Sequence, residues 1–153
     1  MSGKESGTQR EYVTAQIGGE LIGLPILRVQ DVFIPEGPTR VPLAPPEIAG
    51  VLNLRGRIVT LIDMRRRLGL AASTTAKASL AIGVEARGES YGLLIDAIGE
   101  VLRLDDEARE PNPVNLDSRL ARVSTGIHRL DDQLLMVIDV DRVLDIAVES
   151  IAA

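Results

Sequence analysis

The sequence predicts an all-β protein built twice from one small unit, and three observations carry that prediction. The first is an internal duplication: "GLPILRVQDV" (Gly23 to Val32) matches "GLLIDAIGEV" (Gly92 to Val101) at an offset of 69. That offset pairs Gly23 with Gly92, Val29 with Ile98, Asp31 with Glu100 and Val32 with Val101. "LIDMRRRL" (Leu61 to Leu68) matches "VIDVDRVL" (Val137 to Leu144) at an offset of 76, which also pairs Gly50 with Gly126 and Asp63 with Asp139. The second observation is a series of short branched or alternating runs bounded by Gly and Pro, the pattern of small closed barrels rather than an α/β sheet. The third is composition: 45% hydrophobic but only 2% aromatic, so the core is made of Val, Ile, Leu and Ala. Two copies are too few for a solenoid. They suit two similar subdomains meeting at a shared apolar junction, and 153 residues suffice for that.

Taken in order, Met1 to Arg10 is polar, without the apolar run of a signal peptide, and reads as a disordered tail. "YVTAQI" alternates as a strand with Val13, Ala15 and Ile17 on one face and Tyr12, Thr14 and Gln16 on the other. Gly18-Gly19 supplies the positive φ of a tight hairpin, and "ELIGLPI" returns. "SLAIGVEARGESYGLLI" (Ser79 to Ile95) repeats the hairpin about Arg87-Gly88. "PPEIAG" and "LDSRLARV" read as short helical insertions, the first opened by Pro. "RIVTLID" and "QLLMVID" are the most strand-like runs, each ending in an Asp placed to cap a helical turn, "MRRRLG" or "VDRVLD". The first barrel then runs from about 11 to 72 and the second from about 78 to 147, with room for the two to exchange terminal segments.

Chemistry is hard to place on this chain. There is no cysteine and one histidine, His128, which aligns with Leu52 of the first copy and reads as a partly exposed structural residue of a hairpin. No G-x-S-x-G frames a nucleophile, no H-x-x-x-H offers a metal site, and no glycine loop cradles phosphate. "DDEARE" (Asp105 to Glu110) lacks the glycine and spacing of a calcium loop. Asp63 and Asp139 could suggest an acid–base pair, but capping explains both. The reading is therefore no enzyme, no cofactor and no metal. The net charge of −5 and the lack of aromatic platforms also speak against nucleic acid. No apolar run reaches the length of a membrane span.

Charge placement is more informative. Residues 1–72 carry nine basic and seven acidic side chains, whereas residues 73–153 carry eight and fifteen, so the copies are biased +2 and −7. Arg65, Arg66 and Arg67 read as a solvated helical face. Arg55 differs, since it lies between Leu54 and Gly56 in an apolar hairpin and calls for a carboxylate partner. Asp31 is the first candidate and Asp63 the second, with the pair expected to be buried and structural.

At "GLPILRVQDV … VPLAPPEIAGVLNLRGRIVTLIDMRRRLGL" the sequence resembles the CheW family of chemotaxis coupling proteins. The residues that carry this are Gly50, Val51, Asn53, Leu54, Arg55, Gly56, Asp63, Arg65, Leu68 and Gly69, and the resemblance extends from about Tyr12 to Leu144. It implies two SH3-like five-stranded barrels and a non-catalytic cytoplasmic adaptor, monomeric in isolation and recruited to membrane-associated receptor arrays without inserting into the membrane. The implied partners are the regulatory domain of the histidine kinase CheA and the cytoplasmic tips of chemoreceptors. By position, Gly50, Asn53, Arg57 and Gly126 would face the kinase, and Ile26, Val29, Leu80, Ile98 and Val101 would line a receptor groove between the barrels. Asp31 stands where the family commonly has Glu, opposite Arg55. The competing expectation is an oligonucleotide-binding small barrel, and a weaker one a hydrolase with an unrecognised site.

Overall fold

The computed structural model describes residues 9–70 and 80–145, so most of the expected tail (1–8) and of the connection between the copies falls outside the described residues. Ten strands form two five-stranded sheets. They are β1 (Gln9–Ile17), β2 (Glu20–Pro25), β3 (Asp31–Phe33), β4 (Ile48–Leu54) and β5 (Arg57–Asp63) from the first copy. The second copy supplies β6 (Leu80–Ala86), β7 (Glu89–Ile95), β8 (Ala97–Asp105), β9 (Ser124–Arg129) and β10 (Leu134–Ile138). Helix α1 (Met64–Leu68) follows β5, α2 (Ser118–Val123) precedes β9, and a helical segment covers 140–145. Gln9 and Arg10 belong to β1, so the first strand starts before the expected tail has ended.

The sheets do not follow the two sequence copies. Sheet 1 runs β8-β1-β2-β10-β9 and sheet 2 runs β3-β6-β7-β5-β4. Each sheet thus takes the leading hairpin of one copy and the last three strands of the other. The joins are two parallel pairs, β2 with β10 at Leu21–Leu135 to Gly23–Val137 and β5 with β7 at Val59–Ser90 to Asp63–Leu94, and two antiparallel ones, β1 with β8 and β3 with β6. A contiguous division of the chain near residue 72 therefore cuts across both sheets.

The hairpins obey their turn chemistry. Gly18-Gly19, Arg87-Gly88 and Arg55-Gly56 all carry positive φ at both central positions, the geometry that matches strand twist in a two-residue turn. "PPEIAG" is not helical. Ile48 donates to Pro45 O (2.9 Å) in a turn, and Ile48 to Leu54 then pair along β5, since apolar side chains at Ile48 and Leu52 are buried more fully by a strand there. "LDSRLARV" does contain a helix, with Asp117 accepting from Arg119 N at 2.9 Å. Both expected caps form: Asp63 accepts from Arg66 N and Asp139 from Arg142 N, each at 3.2 Å.

The edges of each sheet meet through one bridge. The chain leaving β3 returns at Thr39 to exchange two 2.8 Å hydrogen bonds with Val51 of β4, and the chain leaving β8 does the same between Glu110 and Ile127 of β9. This is the curl of an SH3-like subdomain. Gly50 and Gly126 are buried beneath the two bridges. Their φ values are 157° and 152°, and a Cβ on either would stand 2.7 Å from the carbonyl oxygen of Thr39 or Glu110. Only glycine lets the returning chain approach that closely.

One main core joins everything. It takes Ile17, Ile22 and Leu24 from the first hairpin and Ile82, Leu93 and Ile95 from the second. Met64 and Leu68 of α1, Leu120 and Val123 of α2, and Val140, Val143 and Leu144 complete it. A smaller cluster, Leu52, Val59 and Leu61, fills sheet 2. β1 is buried on both faces, because Tyr12 and Thr14 point into sheet 1 while Ala15 and Ile17 face the main core; only Gln16 of the expected outer face is exposed.

Two substitutions test this construction. Gly126→Ala should lower stability by about 1–3 kcal/mol through backbone strain and the displaced Glu110 strand, read as a drop in the urea midpoint at unchanged slope. Gly50→Ala should behave alike, because it sits under the equivalent bridge.

Candidate functional site

The "NLRG" hairpin projects from sheet 2 at the turn between β4 and β5. Asn53 Oδ1 accepts from Gly56 N at 2.9 Å, which locks the turn and leaves the Asn53 backbone and the Arg55, Arg57 and Ile58 side chains facing solvent. Arg55 does reach Asp31, at 3.1 Å, so the first-choice partner is the correct one. The pair is not buried: its side chains are 75% and 39% exposed. The cause is the turn itself, since a positive φ of 54° at Arg55 directs its side chain away from the sheet rather than into it. Gly83 on β6 leaves room for the Asp31 carboxylate. Asp31, Arg55 and Arg57, with Phe33 and Tyr91, line a cleft of about 440 Å³, and Arg57 Nη1 contacts Ser90 Oγ at 3.4 Å. Asp63, the second candidate, is occupied as the α1 cap and lies 3.6 Å from Arg66.

The equivalent hairpin of sheet 1, Arg129 to Leu134, has the opposite sign. Asp131 and Asp132 stand exposed where the first copy has Arg55 and Gly56, and Leu134 is 41% exposed where Ile58 is 62% exposed. The structure thus presents two related hairpins, each with an apolar side chain at its base, one basic and one acidic. Gly50 and Gly126 are not part of either surface. They are buried and shape the strands from below.

The expected groove residues fall into three groups. Val29 and Leu80 are half-buried and pack against the main core. Ile26 belongs to a one-turn 3-10 segment (Ile26–Arg28) and lines a cleft of about 920 Å³, together with Tyr12, fully exposed Leu27, Arg10, Asp106 and Asp141. Ile98 and Val101 lie on β8, the edge strand of sheet 1, opposite Ala15 and Val13, and are 40% and 50% exposed. Of the five, only Ile26 lines that cleft. Arg28 secures its rim by donating to Asp141 at 3.0 Å, and this hydrogen bond holds the Asp141 carboxyl below the ordinary aspartate range.

The arginine run of α1 behaves differently from the expected solvated face. Arg66 alone is exposed. Arg65 reaches Asp96 at 2.6 Å, and the same carboxylate oxygen accepts from Gly18 N at 2.8 Å, tying α1 to the first hairpin turn. Arg67 is 4% exposed and donates to Val143 O at 2.9 Å and Arg142 O at 2.8 Å, tying α1 to the 140–145 segment. Burial lowers the Arg67 pKa from its usual value. The missed signal was present in the sequence: Met64, Arg67 and Leu68 have i, i+3, i+4 spacing and share one helical face. His128 is also more buried than expected, at 3% exposed, beneath Tyr12 in sheet 1. Among the described residues there is no cluster of three metal-ligating side chains, and no helix is long and apolar enough to cross a membrane.

Replacing Arg67 with Leu should cost about 2–4 kcal/mol, because one buried and one partly buried carbonyl lose charged donors, while Arg55→Ala should cost under about 1 kcal/mol, as expected of an exposed pair. Denaturant titration of the two variants side by side measures the contrast.

Comparison with known proteins places this geometry. Residues 11–148 match the family model described as the CheW-like domain. The chain is 31% identical over 134 residues to the chemotaxis protein CheW of Helicobacter pylori, covering 88% of this chain and 81% of that one. It is 30% identical over 133 residues to the probable chemotaxis protein CheW of Rhizobium etli, covering 86% and 85%. The crystal structure of the scaffolding protein TtCheW from Thermoanaerobacter tengcongensis superposes with a TM-score of 0.74 at 33% identity, covering 85% of this chain and 88% of that one. The chain belongs to the CheW-like family.

Proposed function

We propose that this protein is a non-catalytic adaptor that couples chemoreceptors to the histidine kinase CheA. The observation that carries the reading is the pair of equivalent hairpins of opposite charge on two sheets that share strands of both copies. Arg55 and Arg57 make one surface basic, and Asp131 and Asp132 make the other acidic. Two surfaces of one ancestry but opposite sign favour different partners and oppose the pairing of like with like. Ile58 and Leu134 give each an apolar centre to desolvate. The kinase regulatory domain meets the Asn53–Arg57 hairpin, with Asn53 and Arg57 in contact and Gly50 acting from below. The acidic hairpin, held by Gly126, serves a second contact.

The receptor tip is a helical hairpin, and an amphipathic helix needs an apolar surface with anchors one helical turn apart. Ile26 and Val29 on the first copy, with Ile98 and Val101 on β8, supply exposed or half-exposed branched side chains, and Leu80 backs them from the core. Recruitment to receptor arrays in the cytoplasm follows from that contact.

The two surfaces separate experimentally. Arg57→Glu should weaken binding to the CheA regulatory domain about tenfold, or about 1.4 kcal/mol, and leave receptor-tip binding unchanged. Val101→Lys should do the reverse. Both residues are exposed, so neither variant disturbs the fold. Titration calorimetry against each isolated partner reads both effects, and equal binding by both variants would refute the site assignment. If wild-type protein binds neither partner, the adaptor reading itself fails.

A further inference from the structure

The acidic segment Asp105 to Glu110, which the docking surfaces leave unused, lies against the single histidine of the chain. Glu110 bridges Ile127, the residue before His128, with two 2.8 Å hydrogen bonds, and its carboxylate holds Arg129, the residue after it, at 2.9 Å. Two buried side-chain atoms among the described residues lack a hydrogen-bond partner, and both belong to this corner: His128 Nε2 and Asp106 Oδ1. Asp106 is flanked by Arg10 at 3.5 Å and Arg109 at 3.7 Å. The Tyr12 ring lies 6.1 Å from the imidazole at a tilt of 53°.

The duplication provides an internal control. The residue equivalent to His128 in sheet 2 is Leu52, which is buried and packs with Val59 and Leu61. This position therefore accepts a plain apolar side chain, and the fold has no need of an imidazole there. A buried polar group with an unpaired nitrogen costs free energy. Its presence calls for a use.

We propose that His128 and the 105–110 segment form a proton-sensitive clasp, in which protonation of the imidazole favours release of the Glu110–Ile127 bridge. Burial and, after it, the Arg109 guanidinium hold the His128 pKa below the ordinary value of 6.5, with Asp106, Asp105 and Glu110 opposing. The groups around the imidazole are Tyr12 and Arg10 from β1, Asp105, Asp106 and Arg109 from the segment, and Glu110 with Arg129 at the bridge. From β10 it meets apolar Leu135. Between about pH 5 and 7 the imidazole is the member of this group whose ordinary pKa is crossed. In the open form it is solvated and takes up a proton near 6.5, whereas in the closed form it resists. Closure is thus fully favoured above that value, weakens as the pH falls from it toward the lower value of the closed form, and then levels off.

The test uses the intact chain, whose single histidine gives one unambiguous imidazole signal. NMR titration of that signal should give a pKa below 6.5. Amide exchange at Glu110 and Ile127, corrected for intrinsic rates, should show opening that rises tenfold for each pH unit over which only the open form is protonated. His128→Leu should flatten this dependence while keeping the fold, as Leu52 does in sheet 2. Titration at or above 6.5, or the same pH profile in His128→Leu, overturns the proposal. Should the variant fail to fold, the wild-type titration and exchange profile decide alone: a depressed pKa with pH-dependent opening sustains the clasp, and its absence refutes it.

Discussion

Everything in this molecule depends on the strand pairs that cross between the copies, parallel β2 with β10 and β5 with β7 and antiparallel β1 with β8 and β3 with β6. Each joins the leading hairpin of one sequence copy to the trailing strands of the other. A half of about seventy residues buries too little apolar surface to be stable alone. By exchanging hairpins, the halves make each sheet incomplete without the other, so neither has an independent fold to fall back on. The main core reflects this, since its members alternate between copies with no boundary. The polar ties reinforce it. Asp96 of the second copy gathers Gly18 and Arg65 of the first, and Arg67 of the first is tied to the helical segment of the second.

Duplication lets the two copies be read against each other. What both retain is what the fold requires: the glycine under the closing bridge, and the aspartate that caps the turn after the fifth strand. What they do not share is free to specialise. Arg67 aligns with Val143 of the second copy, so one buried face of a short helix carries a cation and its counterpart an aliphatic side chain. The hairpins at Arg55 and Asp131 differ in sign, and Leu52 differs from His128 in polarity. Electrostatic identity is thus assigned barrel by barrel on a common frame.

Much of the frame was legible in the sequence, because hairpin turns and caps are local events. Gly18-Gly19, Arg87-Gly88, Asp63 and Asp139 act within a few residues of themselves, and all form as expected. The Asp31–Arg55 pair was legible too, through the oddity of an arginine in an apolar hairpin. Its burial was misjudged because exposure there is set by the left-handed backbone at Arg55, which residue types alone do not reveal. "PPEIAG" misled for a similar reason. A proline followed by an acidic residue opens helices, yet pairing with β5, a distant choice, decided it. The same applies to Tyr12 and Thr14, whose alternation suggested an outer face until the curl of sheet 1 set Tyr12 against His128 and Thr14 against Glu100. Hairpin exchange left no local trace at all, since each copy has the same strand sequence whichever sheet it enters.

The exposure of the Asp31–Arg55 pair bears on how such a scaffold divides its labour. An ion pair open to solvent contributes little to stability, but it fixes the direction of two long side chains beside the exposed hairpin and the cleft behind it. Arg67, Gly50 and the partly buried Asp96 do the opposite: they are turned inward, and they set where the strands lie. An adaptor that must hold two partners at a defined angle needs the second group invariant in position and the first group adjustable in charge. Hairpin exchange meets the first need, because a partner's pull on either sheet is resisted by strands from both copies and by one core. The second need is met at the turns, where exposed side chains can change without touching the core: a positive-φ Arg55 followed by Gly56 in sheet 2, and the longer Leu130 to Gln133 loop carrying Asp131 and Asp132 in sheet 1. In the proposed adaptor, rigidity and recognition are therefore carried by different residues, and altering the charge at Arg57 or Asp132 leaves the relation between the two surfaces intact.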